Sequence, residues 1–240
     1  MTQTPQLAPW HKAFAGMLSG SVYAARQSAR IDTAVALGQA GLDVHVYITA
    51  VSEGLPKGVS VAELREIAAA LEARIQSAVV KRSRIGVHLI GSPEFVDTTL
   101  RDVLRVRPAT VFLPWAAFTE ERARAVRAVG SAAWITLWNE WDGTGAPNWP
   151  APPDGVLVML IEPGTRERCA LDRLRIVAEC AAEMPVTVDG GITEDIAPLC
   201  VRAGVKSMVV GRALLQELPA PAGPATTSPN MEHRRKEIVR

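Results

Sequence analysis

The chain has 240 residues, 26 Lys and Arg against 25 Asp and Glu, and 48% hydrophobic residues. That composition excludes a wholly disordered, collagen-like or disulfide-scaffold protein. A formal charge of +1 leaves no electrostatic footprint for nucleic acid or an anionic membrane surface.

Read in chain order, short apolar runs alternate with amphipathic stretches. The runs fall at 17–23, 42–48, 84–90, 109–113, 132–138, 155–161, 185–189 and 206–210. Near-continuous apolar runs suit strands buried on both faces of a parallel sheet. Helical patterns occupy 28–40, 60–77, 93–105, 119–129, 168–182 and 193–203. Ser60 with Glu63 three positions on reads as a capping box. Glu120 and Glu121 after Thr119 suit a positive helix start. This alternation predicts a (β/α)8 TIM barrel over 1–217 as a single domain.

Between strands five and six lies NEWDGTGAPNWPAPPDG, whose four prolines and three glycines predict an irregular loop. Residues 218–240 begin PAPAGPATTSPN and are expected to form a flexible tail. Cys169, Cys180 and Cys200 form neither a disulfide framework nor a CxxC pair. The N-terminus lacks the charged start and apolar core of a secretory signal. No apolar run reaches the ~18 residues of a membrane span. A reducing cytoplasm is the expected location.

In such barrels the active groups gather at the carboxyl ends of the strands. Those ends offer Ser19 and Ser21, His45 and Tyr47, His88, Glu162-Pro163-Gly164, Asp189-Gly190-Gly191, and Gly211-Arg212. Residues two apart on a strand share a face, so His45 and Tyr47 point the same way. If that face lines the mouth, His45, Tyr47, His88 and Asp189 converge. Two imidazoles and a carboxylate can hold a divalent metal, with zinc the expected ion; each His could equally be a hydrogen-bonded core residue. The glycines of Asp189-Gly190-Gly191, ahead of a helix expected near Thr193, let backbone N–H groups approach an anion. Gly211 and Arg212 at the next strand end complete a candidate phosphate site, Arg212 as a bidentate clamp. Trp138 and Trp141 either wall the pocket or serve packing or an oligomer contact. Glu140 and Asp142 in the same loop are uncommitted acids.

The segments VLVMLIEPG (156–164) and VTVDGGITEDIAPLCVRAGVKSMVVGRALL (186–215) closely resemble ribulose-phosphate 3-epimerase. SGSV at 19–22, LDVHVYI and GVHLI resemble that family's first three strands more weakly. The resemblance spans about residues 17–216 and implies a ribulose-phosphate-binding barrel. It implies a divalent metal, usually zinc, held by two His and two Asp, with the two Asp acting as acid and base on opposite faces of the substrate. Carried over, the ligands are His45, His88 and Asp189. Ser21, Met159, Glu162 and Gly164 fall at substrate-binding positions, and Gly190, Gly191, Gly211 and Arg212 at the phosphate pole. The family's first Asp falls on Tyr47, a poor base at its ordinary pKa near 10. The family's glycine-rich loop after Pro-Gly is replaced by TRERC, and its phosphate-loop Ser by Arg212.

The expected function is therefore an epimerase or isomerase acting on a phosphorylated small-molecule sugar through a metal-stabilised enediolate, with Asp189 and Tyr47 as the catalytic pair. Its alternatives are a single-base lyase, dehydratase or aldose–ketose isomerase on the same scaffold, or a non-catalytic sugar-phosphate binder. Neither a nucleic acid nor a membrane is an expected partner, and a homo-oligomer is possible.

Overall fold

The computed structural model describes residues 6–75, 85–163, 165 and 168–216. Eight parallel strands close into a barrel, each hydrogen-bonded to the next in sequence and the last to the first. They are β1 (Leu18–Ser21), β2 (Asp43–Thr49), β3 (Ile85–Ile90) and β4 (Thr110–Pro114). The circle continues with β5 (Ala132–Leu137), β6 (Gly155–Met159), β7 (Val186–Asp189) and β8 (Ser207–Val210). The outer helices are α1 (Arg30–Gln39), α2 (Val61–Ile75), α3 (Pro93–Leu104), α4 (Glu120–Ala128), α5 (Leu174–Ala181) and α6 (Ala197–Arg202). The (β/α)8 barrel expected from the alternation is the fold. The expected tail, 218–240, lies outside the described residues.

Helix starts follow from local chemistry. At α2 the capping box forms as read: Glu63 N–H donates to Ser60 Oγ at 3.1 Å, and Ser60 N–H donates to Glu63 Oε2 at 2.9 Å. Thr119 caps α4 by accepting from Arg122 N–H. Ser92, not read from the sequence, caps α3 by accepting from Phe95 N–H at 3.2 Å.

Two helices are shorter than their sequence pattern. The stretch expected over 168–182 becomes α-helical only at Leu174, after a 3-10 turn over Leu171–Arg173. Ala170 N–H donates to Leu160 O at 2.7 Å, which holds the chain against the end of β6 before it can coil. The helix expected near Thr193 begins at Ala197. Residues 193–196 form a turn instead, and Pro198 suits the first turn of the helix that follows.

No helix forms between β5 and β6, as the prolines and glycines indicate. The loop is stapled rather than loose. Asp154 Oδ2 accepts from Ala133 N–H at 2.7 Å, and Arg127 reaches both Asp154 and the Pro152 carbonyl. Buried Arg173 donates to Met159 O at 2.6 Å and to Trp138 O, and stacks on the Trp138 ring at 4.4 Å. Trp138 therefore packs on Arg173, and Trp141 packs edge-on to Trp149. Neither tryptophan lines the cleft described below. Glu140 accepts from Trp138 N–H, and Asp142 from Thr144 N–H and hydroxyl, so both acids shape the loop.

The barrel interior is filled by residues that alternate inward along each strand. Phe112 and Trp134 lie edge-on at 5.7 Å between ring centroids. A Cβ on Gly155 would stand 2.5 Å from the Trp134 ring, so only glycine leaves that ring its place. The first and last described residues meet outside the barrel: Gln6 and Leu7 pair antiparallel with Gln216 and Leu215. Trp10 donates its indole N–H to Ala213 O at 3.2 Å, which ties the N-terminal segment to the loop after β8. No described helix is long and apolar enough to cross a membrane.

Candidate active site

Strand register brings the candidate residues together. Ser21 pairs with His45, Tyr47 with His88, and Met159 with Asp189. Ser21, Met159 and Asp189 are the last residues of β1, β6 and β7, whereas His45, Tyr47 and His88 lie within β2 and β3. Ser21, His45, His88, Met159 and Asp189 are buried. The rings of His45 and Tyr47 are 4.7 Å apart, those of Tyr47 and His88 5.5 Å, and those of His45 and His88 5.8 Å.

The polar contacts converge on Tyr47 and Asp189. Tyr47 donates its hydroxyl to both carboxylate oxygens of Asp189, each at 2.8 Å. Ser21 hydrogen-bonds the same phenol oxygen. Burial raises the Tyr47 pKa well above its ordinary value, and the neighbouring Asp189 charge and hydrogen bond add to that; the Ser21 bond acts the other way. Tyr47 therefore keeps its proton. Burial pushes the Asp189 carboxyl up to about 7, opposed by the Tyr47 hydrogen bond. Asp189 is thus poised to gain or lose a proton near neutrality.

Burial also holds both imidazoles neutral. It lowers His45 well below its ordinary pKa, helped by His88, and brings His88 down to about 3. Thr136 Oγ1 lies 3.2 Å from His88 Nε2. If Nε2 carries the proton, the lone pair sits on Nδ1, 3.8 Å from Asp189 Oδ2.

A divalent cation fits these residues. One ligand atom each from His45, His88 and Asp189 lies within 4.8 Å of the others. His45 Nε2 and His88 Nδ1 are buried without a hydrogen-bond partner. Such an orphaned polar atom costs about 1–3 kcal/mol, which a cation held between neutral imidazoles and a carboxylate removes.

Above this cluster opens a cleft of about 800 Å³. Tyr47 and Asp189 line it, whereas His45 and His88 lie behind them. Ser21, Met159, Gly190, Gly191, Gly211 and Arg212 also line it. Gly190 has φ +116°, and a Cβ there would meet the Ile161 backbone nitrogen at 2.9 Å. This loop is therefore built for glycine. This turn, rather than a helix start, borders the cleft, since the helix begins only at Ala197. Glu162 is exposed and outside the lining, and Gly164 lies outside the described residues.

Tyr23 was not singled out in the sequence. It lines the cleft and meets Tyr47 edge-on at 5.8 Å. Its place two residues beyond Ser21 was the available signal. Thr136 was also missed, because it sits inside an otherwise apolar strand.

The sequence profile of the ribulose-phosphate 3 epimerase family matches residues 76–215, more than half of the chain. The chain belongs to that family. In fold, this epimerase-family barrel is similar to phosphoribosyl anthranilate isomerase from Thermus thermophilus, with 16% identity and a TM-score of 0.55 over 82% of this chain and 88% of that one. It is also similar to tryptophan synthase from Mycobacterium tuberculosis, with 15% identity and a TM-score of 0.59 over 85% of each chain. At these identities the likeness is one of fold. No curated protein matches the sequence.

Proposed function

We propose that this chain is a metal-assisted isomerase or epimerase of a phosphorylated sugar, moving a proton at the carbon next to a carbonyl. The observation that carries the reading is the Tyr47–Asp189 pair on the cleft surface, one group holding its proton and the other titrating near 7. Membership of the epimerase family supports it.

Asp189, as carboxylate, removes the substrate proton. Tyr47 supplies a proton to the substrate. Its 2.8 Å hydrogen bond then lets the proton on Asp189 pass back, which resets the pair. Gly190, Gly191 and Gly211 offer backbone N–H groups to the phosphate, and Arg212 offers its guanidinium. Ser21 and Met159 contact the sugar beside Asp189. His45, His88 and Asp189 would hold the divalent ion, with zinc the expected one. When bound, it supplies positive charge near the reacting carbonyl.

A second reading shares these residues. Tyr47 and Asp189 touch directly, which favours proton transfer on one face of the substrate, between adjacent carbons. That is aldose–ketose isomerisation rather than inversion.

Proton NMR in D₂O with ribulose 5-phosphate tests both, on zinc-loaded and metal-stripped protein. Exchange at C3 with xylulose 5-phosphate appearing establishes inversion. Exchange at C1 with an aldose appearing establishes the one-face reaction. Turnover that survives Asp189→Asn overturns both.

A further inference from the structure

We propose that the substrate of this cleft carries an apolar, ring-bearing portion beside its anionic group. The inference rests on the phosphorylated-substrate reading above and narrows it.

The lining is the first observation. Ile90, Met159, Ile161, Ile192, Ile196 and Val209 form much of the wall, and the Tyr23 ring stands beside Tyr47. The volume, about 800 Å³, lies toward the upper end of small-molecule pockets and exceeds the needs of a five-carbon sugar phosphate.

The second observation is that several polar groups of the wall are already engaged with the protein. Tyr47 is bonded to Asp189 and Ser21. Thr49 Oγ1 donates to Pro56 O at 2.7 Å and accepts from Gly58 N–H at 2.9 Å. Thr165 Oγ1 donates to Glu162 O at 2.8 Å. Glu162, the acid that could receive sugar hydroxyls, is outside the lining. A substrate covered in hydroxyls would leave several of them facing Ile and Met, each unpaired at a cost. A planar apolar group gains from the same surface.

The third observation is charge. Among the described residues, the basic side chains in the lining are Arg168 and Arg212, and Arg212 lies beside Gly211. These suit an anion at one end of the cleft. The cleft therefore pairs a cationic, glycine-rich end with an apolar wall, and Asp189 faces the same space.

Titration calorimetry on the full chain, with zinc supplied, tests this with inorganic phosphate, ribose 5-phosphate and 1-naphthyl phosphate. 1-Naphthyl phosphate is expected to bind at least about tenfold more tightly than ribose 5-phosphate, the order expected for burying one ring. Ile90→Ser is expected to weaken the naphthyl ester about threefold or more and to leave inorganic phosphate unchanged, which also reports that the variant is folded. Ribose 5-phosphate binding as tightly as the naphthyl ester overturns the apolar portion and leaves the phosphosugar reading standing. Naphthyl phosphate binding untouched by Ile90→Ser seats the ring elsewhere and overturns the proposal. Binding of none of the three overturns the proposal and the reading together.

Discussion

The hydroxyl of Tyr47 sits 2.8 Å from each carboxylate oxygen of Asp189, across the barrel from strand β2 to strand β7. Burial first, and the pairing second, assign the two groups opposite roles. One group is held protonated, and the other is brought to about 7.

Tyr47→Phe keeps the ring that covers His45 and His88 but removes the proton donor. Turnover is expected to fall by about 10²- to 10⁴-fold, the usual contribution of a positioned acid or base. Steady-state rates beside circular dichroism check it. A rate within a few-fold of the parent would remove Tyr47 from the chemistry.

Metal affinity should depend on one proton. Both imidazoles are neutral well below pH 6.5, whereas Asp189 is protonated below about 7. Binding a divalent ion must displace that proton. Zinc affinity is expected to fall about tenfold per pH unit from 7 down to 5 and to level off above 7. Competition titration against a chelator reads the slope. A slope near two would show that a histidine also deprotonates on binding.

The metal-free protein should respond to pH through the same groups with opposite signs. The folded pKa of Asp189 is raised from 3.8 to about 7, so its contribution is fully present below 3.8 and lost as pH rises through 7. The folded pKa of His88 is lowered from 6.5 to about 3, so its contribution is present above 6.5 and lost as pH falls toward 3. Asp189→Asn removes only the first effect. Without metal at pH 8, that variant is expected to be more stable than the parent by up to about 4 kcal/mol, since each tenfold change in a proton equilibrium is worth about 1.4 kcal/mol. Urea unfolding at pH 4 and pH 8 checks it, and the gain should vanish at pH 4.

Gly155→Ala should destabilise the barrel. The added methyl would stand 2.5 Å from a rigid indole at the barrel centre. Overpacking of this kind costs about 1–3 kcal/mol. Urea unfolding followed by Trp fluorescence measures it, and an unchanged midpoint would show that Trp134 has room to move.

The sequence by itself determined the barrel and which candidate residues its strands carry. Apolar runs of strand length alternating with amphipathic stretches admit few other folds. Strand periodicity put His45 and Tyr47 on one face, and VDGGI marked where β7 ends. Only the tertiary structure decided that Tyr47 bonds to Asp189, because 142 residues separate them and barrel closure alone sets their register. It also decided that Glu162 stands outside the cleft while Tyr23 stands within it, and that Trp138 serves Arg173 rather than the pocket. Helix starts at 174 and 197 escaped the pattern for a related reason. Periodicity reports which face of a segment is apolar. It does not report a long-range backbone bond, such as Ala170 to Leu160, that keeps the first residues from coiling.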